Sequence, residues 1–217
     1  MREQDEGNNL YNKMLWTDEA SFTTSGIYNR RNTNYWAAAN PHKYEMIKFQ
    51  GRSSLNVWCG MLGNQIIGPL FYRGSLTGQR YLQFLQNDIE DLLEGLPLQI
   101  YNNIIWQQDG APPHAVREVV VYLNGRYNEW IGRNGTLHWP PNSPDITPMD
   151  TFLWGHLKNV VYQRPNRNID ELQQKIVNEI DRLNQDYNII RDSLERLKRG
   201  HRSCFENNGG HIEHLYY

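Results

Sequence analysis

Three aspartates lie at positions where a carboxylate is either costly to bury or well placed to bind a ligand. The first, Asp18, lies within a predicted strand over residues 14–22. The other side chains on its face of that strand are apolar: Met14, Trp16, Ala20 and Phe22. Aspartate is rare on an inward face unless it is paired. Asp18 is therefore either a buried structural residue satisfied by donors or part of a site.

Asp109 follows a short apolar run at residues 104–106 and precedes Gly110. Asp-Gly pairs are common in turns, so a structural Asx turn is one interpretation of this position. The other interpretation is functional, because ligands of open α/β sheets bind beyond the carboxyl ends of the strands.

Asp150 lies in the first turn of a predicted helix over residues 147–161, with Thr147 as N-cap and Pro148 at the first position. It begins a series of apolar residues at helical spacing: Leu153, Trp154, Leu157 and Val161. A carboxylate in the first turn can simply cap the helix. Here, however, the apolar face must pack on the sheet, so the carboxylate of Asp150 is predicted to point toward the core side as well. Asp145, in a proline-bounded turn, is predicted to have a structural hydrogen-bonding role.

These three acids approach one predicted sheet from three separate segments. Like charges held close together are costly unless a cation neutralises them. Ligand sets made only of oxygen atoms favour Mg²⁺ or Mn²⁺ over zinc. Such ions usually act on phosphates, and a pair of them about 3.5–4 Å apart can promote an in-line phosphoryl displacement.

The elements that would carry these residues follow a pattern typical of a mixed sheet. Three strands are predicted first, over 14–22, 55–62 and 65–71, and Gly63-Asn64 between the last two is a hairpin signal. Residues 24–52 are expected to form a short strand and a long loop. Short strands at 104–106 and 136–139 alternate with helices at 77–93, 114–123, 147–161, 169–184 and 189–201. This order indicates a three-layer α/β domain, with helices covering a mixed sheet.

The composition restricts the classes of protein that fit. The chain has 217 residues, enough for one sizeable core. Its two cysteines form no disulfide framework, which excludes a disulfide-built secreted scaffold. No apolar stretch is long enough to predict a membrane helix.

The net charge is −2, so any nucleic-acid-binding surface must be local. Residues 19–52 and 191–202 each carry five basic and two acidic side chains, which fits either such a surface or two solvated faces.

Four segments of the sequence resemble motifs of the Tc1/mariner superfamily of DNA transposases. They are Leu15–Phe22 (LWTDEASF), Asn56–Gly60 (NVWCG), Trp106–His114 (WQQDGAPPH) and Trp139–Asp150 (WPPNSPDITPMD). The ending Gly209–Ile212 is also similar. The resemblance extends over about residues 15–214, and the two later motifs are long and specific. It implies a ribonuclease H-like fold, a mixed β-sheet flanked by helices.

The resemblance also implies the chemistry of the site. Carried over position by position, the catalytic triad is Asp18, Asp109 and Asp150, and these residues hold the Mg²⁺ or Mn²⁺ ions, two of them in this family. The implied reaction is metal-dependent cleavage of DNA phosphodiesters followed by strand transfer. Asp145 matches the family's Ser-Pro-Asp element and stays outside the catalytic set. His114 is expected either to orient a phosphate or a metal-bound water, or to bond locally at a helix start.

The partners that the resemblance implies are transposon ends and target DNA, with no membrane. It is compatible with a homodimer and implies a nuclear location.

Two features depart from the family pattern. Asp109 and Asp150 are separated by 40 residues, more than is usual, and the extra length is expected in a loop at 127–136. Residues 1–14 are expected to be a linker or a truncated remnant before a catalytic domain at 15–217, without the helix-turn-helix region of the family. The alternative function is therefore an inactive or co-opted module, derived from a transposase, that binds DNA or protein.

Overall fold

The computed structural model describes residues 10–24, 54–140 and 143–206. The short strand and long loop predicted over 24–52 lie outside the described residues, apart from residue 24. Most of the basic segment 19–52 and the ending Gly209–Ile212 also lie outside them. Within the described ranges, no helix combines the length and the apolar character needed to cross a membrane.

A mixed sheet of six strands forms the centre of the fold, in the order β3-β2-β1-β4-β5-β6. The strands are β1 (Met14–Thr23), β2 (Ser54–Leu62), β3 (Gln65–Tyr72), β4 (Ile105–Gln107), β5 (Trp130–Gly132) and β6 (Leu137–His138). The first three pair in antiparallel fashion, whereas β1, β4, β5 and β6 are parallel to one another. Gly63, with a φ of 56°, forms the two-residue turn between β2 and β3 with Asn64, as the hairpin signal predicts.

From β3 onward, helices alternate with the remaining strands along the chain. They are α1 (Gly78–Gln83), α2 (Ile89–Leu93), α3 (Leu98–Tyr101), α4 (Arg117–Arg126), α5 (Trp154–Val161), α6 (Ile169–Gln185) and α7 (Tyr187–Glu206). A π-helical turn, Phe84–Asp88, joins α1 to α2, and a second, Met149–Leu153, leads into α5. Thr77 caps α1 by accepting a hydrogen bond from the Arg80 amide, which is the helix start that the sequence predicts.

The sheet separates two apolar cores. On one face, Trp16 and Phe22 of β1 pack with buried residues of α5, α6 and α7. On the other face, Leu15 packs with Trp58, Trp106 and buried residues of α1, α2 and α4. Successive side chains of a strand point to opposite faces, so β1 contributes to both cores. The structure therefore confirms the predicted three-layer α/β fold.

Part of the predicted loop at 127–136 is a strand. The segment contains β5, whose Trp130 is fully buried. The indole Nε1 of Trp130 donates to Asn124, and its backbone amide donates to the hydroxyl of Thr136. The surrounding Gly and Asn residues favour a loop, but pairing with β4 makes this segment a strand.

The helix predicted at 114–123 begins later than expected. Pro112–Ala115 is a 3₁₀ turn, and α4 starts only at Arg117. The two consecutive prolines lack backbone N–H donors, which suits them to a short turn before the helix rather than to its interior.

Candidate active site

The three predicted aspartates line one cleft of about 340 Å³. β1 and β4 pair in parallel up to Trp16 and Gln107, so Asp18 and Asp109 each lie two residues beyond the last pair. Asp150 comes from the π-helical turn before α5. The structure thus brings together acids that are far apart in the chain.

Asp18 is half-buried within β1. Its Oδ2 accepts a hydrogen bond from the indole Nε1 of Trp154 at 2.7 Å. Burial and the negative charge of Asp150 raise the pKa of Asp18 to about 7, despite that hydrogen bond. A carboxyl group with such a pKa is partly protonated near neutral pH, as expected for an acid that is buried beside another acid.

Asp109 is held by the turn that follows β4. Its Oδ1 accepts a hydrogen bond from the Ala111 amide at 2.9 Å and lies 2.6 Å from Nδ1 of His114. The Asx turn is therefore present, and the structural and functional interpretations of Asp109 are compatible. Burial alone would raise the pKa of Asp109, but the hydrogen bond and the charge of His114 lower it below its usual value.

Asp150 is exposed to the cleft, whereas Asp18 and Asp109 are half-buried. Desolvation and the charge of Asp109 raise the pKa of Asp150, and Lys158 opposes this increase. Thr147, the predicted N-cap of this helix, makes one capping contact: its hydroxyl accepts a hydrogen bond from the Met149 amide at 3.3 Å. The apolar face that follows is buried as predicted: Leu153, Trp154, Leu157 and Val161.

His114 lies beneath the cleft and is only 3% exposed. Its Nε2 lies 3.4 Å from Oε2 of Glu19, an ion-pair contact rather than a hydrogen bond. Burial alone would lower the pKa of His114, yet the charges of Glu19 and Asp109 raise it to about 10. The imidazole does not line the cleft. This placement favours the local role of His114 over direct contact with a phosphate.

A buried polar network beneath Asp109 was not anticipated from the sequence. The side-chain oxygen of Gln108 accepts hydrogen bonds from the Tyr81 hydroxyl at 2.8 Å and from Trp106 Nε1 at 3.1 Å. Its amide nitrogen donates to the His114 carbonyl at 3.1 Å. The signal was the Gln107-Gln108 pair at the end of an apolar run, because buried amides require partners.

Asp145 does not line the cleft. It lies in the 3₁₀ turn Pro144–Ile146, where the Ile146 carbonyl accepts a hydrogen bond from Nε2 of His201 at 2.9 Å. The other ring nitrogen of His201 accepts a hydrogen bond from the Tyr11 hydroxyl at 2.5 Å. The turn that leads to Asp150 is thus tied to α7 and to the chain before β1.

The three aspartates offer the oxygen ligands that Mg²⁺ and Mn²⁺ prefer. Their chemistry fits such ions, because two of the three carboxyl groups have pKa values raised in part by the charge of another. Across the described residues, however, no group of three or more His, Cys, Asp or Glu side chains lies close enough together to hold a metal ion as it stands. The aspartates share a cleft without converging on one point.

Comparison with curated proteins gives a sequence relative. No protein-family model matches the chain. It is 26% identical over 159 residues to the transposase of transposable element Tc1 from Caenorhabditis elegans, an alignment that covers 70% of this chain and 53% of that protein. The chain spans about half the length of the curated relatives it matches.

Solved structures share the fold at lower identity. The mariner Mos1 paired end complex with Mg has a TM-score of 0.73 and 17% identity, covering 97% of this chain and 60% of that one. The catalytic domain of Mos1 mariner transposase has a TM-score of 0.68 and 16% identity, covering 97% of this chain and 89% of that one. In sequence the chain is similar to the transposases of Tc1 and Tcb1, and its ribonuclease H-like fold is that of the catalytic domain of Mos1 mariner transposase.

Proposed function

We propose that this chain is a transposase catalytic domain that cleaves DNA phosphodiester bonds and joins the freed strand to target DNA, using Mg²⁺ or Mn²⁺. The observation that carries the proposal is the single cleft lined by Asp18, Asp109 and Asp150. The similarity to a Tc1 transposase and to a mariner complex with Mg supports it.

Asp18, Asp109 and Asp150 would hold the metal ions. When bound, a pair of such ions would activate water or a 3′-hydroxyl and offset negative charge on the leaving oxygen. The protein orients two of the ligands itself: Trp154 donates to Asp18, and Ala111 and His114 contact Oδ1 of Asp109. Bound cations would also favour ionisation of Asp18 and Asp150, whose pKa values are raised in their absence.

Nicking of a supercoiled plasmid in the presence of Mn²⁺ tests the proposal. The wild-type chain should produce open circles, and chelation of the metal should stop the reaction. Asp109→Asn should reduce nicking to background because it removes a metal ligand. Asp181→Asn is the matched control, since Asp181 is exposed on α6 and does not line the cleft.

Metal binding is measured separately from activity. Mn²⁺ should raise the melting temperature of the wild type, because a ligand that binds only the native state stabilises it by RT ln(1 + [L]/Kd). Asp109→Asn should lose most of this increase, whereas Asp181→Asn should keep it. An unchanged wild-type melting temperature at high Mn²⁺ concentration would contradict the metal site. DNA binding without Mn²⁺ binding or nicking would support the alternative, an inactive or co-opted binding module.

Three further expectations belong to the same proposal. They are the division into residues 1–14, a linker or truncated remnant, and a catalytic domain at 15–217, together with a homodimer and a nuclear location.

A further inference from the structure

We propose that Glu19 and His114 form a positioning pair that holds Asp109 in the orientation in which it binds metal. Neither residue lines the cleft, so the pair acts through Asp109. The inference rests on the proposed function, since it takes Asp109 as a metal ligand. It assigns a task to Glu19, the acid beside Asp18, which the proposed chemistry does not otherwise use.

The first step is the placement of Glu19. Neighbouring residues of a strand point to opposite faces of the sheet, so Glu19 faces away from the side that Asp18 faces. On its own side Glu19 meets His114, with 3.4 Å between Oε2 and Nε2. β1 thus supplies Asp18 to the cleft and also supplies Glu19, whose contact orients the imidazole of His114 beside Asp109.

The second step is the rigidity of His114. Its ring centroid lies 4.2 Å from that of Tyr81, and its backbone carbonyl accepts the Gln108 side-chain amide. The ring is buried between the two acids, with Nδ1 toward Asp109 and Nε2 toward Glu19. A ring held in this way presents Nδ1 to Asp109 in one direction.

The third step concerns the two oxygens of Asp109. The amide of Ala111 and Nδ1 of His114 both contact Oδ1. A carboxylate fixed through one oxygen loses less conformational freedom when a cation binds the other. Hydrogen-bonding partners that orient metal ligands typically change metal affinity by about 10–100-fold when they are mutated. We therefore expect the Glu19–His114 pair to raise the affinity of the cleft for Mn²⁺.

Calorimetric titration with Mn²⁺ measures the metal affinity of His114 variants. In two of them an amide side chain replaces the imidazole and mimics one of its two ring nitrogens. The amide nitrogen of Asn reaches the position of Nδ1, and that of Gln reaches the position of Nε2. His114→Ala should weaken Mn²⁺ binding by about 10–100-fold. His114→Asn should recover most of the affinity because it still donates to Asp109, whereas His114→Gln should not.

Metal-free stability separates positioning from folding. His114→Asn and His114→Gln each keep one polar contact, so their unfolding midpoints in chelator should be similar while their Mn²⁺ affinities differ. Glu19→Gln should weaken Mn²⁺ binding less than His114→Ala does, near the lower end of that range, about 10-fold. Glu118→Gln, an identical change at an exposed position on α4, should leave the affinity unchanged.

The outcomes distinguish this inference from the proposed function. Wild-type affinity in His114→Ala, or equal affinities in His114→Asn and His114→Gln, would overturn the positioning pair alone. A wild type that binds no Mn²⁺ would overturn the metal site and this inference with it. If the histidine variants do not fold, Glu19→Gln decides: weaker Mn²⁺ binding supports the pair, and unchanged binding refutes it.

Discussion

At the scale of one residue, burying Asp18 beside another acid lowers the stability of the folded protein at neutral pH. Its pKa is raised from 3.8 to about 7, first by burial and then by the charge of Asp150. The native state therefore holds a proton on Asp18 more tightly than the unfolded state does. By linkage, this residue makes the metal-free protein less stable as the pH rises from about 4 to about 7.

Asp18→Asn should remove this pH-dependent loss. In chelator at pH 7.5, we expect the variant to be more stable than the wild type by about 1–2 kcal/mol, after discounting the pKa shift for solvent screening. Near pH 4 the advantage should disappear because Asp18 is protonated in the native wild type. Urea unfolding at the two pH values measures the difference, with Asp181→Asn as control. A wild type as stable as the variant at both pH values would contradict the prediction.

At the scale of elements, close packing around single glycines shapes the strands beside the cleft. A Cβ atom at Gly135 would lie 2.6 Å from the Trp130 carbonyl oxygen and 2.9 Å from the Gly132 nitrogen. Both are backbone atoms of β5, so they cannot move aside as a flexible side chain could. The absence of a side chain at Gly135 is thus a requirement of the turn between β5 and β6.

Gly135→Ala should therefore destabilise the fold by about 1–3 kcal/mol, the usual cost of overpacking. Gly95→Ala is the matched control, because a Cβ there would meet no atom within 4 Å. Urea unfolding midpoints of the two variants and the wild type measure the effect. Equal midpoints for Gly135→Ala and Gly95→Ala would show that the turn can adjust.

Gly155, in α5 next to Trp154, allows the opposite change. A Cβ at this position would meet no atom within 4 Å, and the residue is exposed. Because glycine is entropically unfavourable within a helix, Gly155→Ala should stabilise the protein by about 0.5–1 kcal/mol. Thermal unfolding should show a higher midpoint, and a lower one would mean that the helix needs glycine here.

At the scale of the whole molecule, His201 joins three distant parts of the chain. It contacts Tyr11 before β1 and Ile146 ahead of Asp150 from its own position near the end of α7. Burial lowers the pKa of His201, against the opposing effects of the Ile146 carbonyl and the charge of Asp145. The native state therefore favours the neutral imidazole, which donates through Nε2 and accepts through Nδ1.

His201→Gln should change how stability depends on pH. A histidine with a lowered native pKa contributes its full stability above its ordinary pKa of 6.5, and that stability is lost as the pH falls below this value. The variant should be about 1–3 kcal/mol less stable at pH 8, because buried hydrogen bonds are lost. It should lose less stability than the wild type between pH 7 and pH 5. His138→Gln, at an exposed position, should follow the wild-type curve.

Exposed arginines on α7 lead to a prediction about DNA. Arg196 and Arg199 are exposed within the basic segment 191–202. If this surface binds phosphates, replacing both by alanine should weaken binding about equally on all duplexes and reduce the salt slope by about 2. Fluorescence anisotropy over a range of salt measures both quantities, with Arg164→Ala plus Arg167→Ala as control. Tight binding to one short sequence, insensitive to salt, would contradict this picture.

Local patterns in the sequence were sufficient for much of the fold and for the choice of candidate acids. The alternation in β1, the Gly63-Asn64 hairpin and the apolar face beginning at Asp150 all depend on residues close together in the chain. Periodicity therefore predicted them, and their order indicated a mixed sheet. The resemblance of the motifs around Asp18, Asp109 and Asp150 to a known family then indicated one site.

Only the tertiary structure showed which groups support that site. Glu19 and His114 are 95 positions apart, Tyr11 and His201 190 positions apart, and β5 is a strand because it pairs with β4. No local pattern predicts such contacts, because they depend on how the sheet and its two helical layers pack. The same packing sets the pKa of each acid, since burial and neighbouring charges exist only in the folded chain. The sequence alone therefore determined which acids are candidates, and the fold decided their environment.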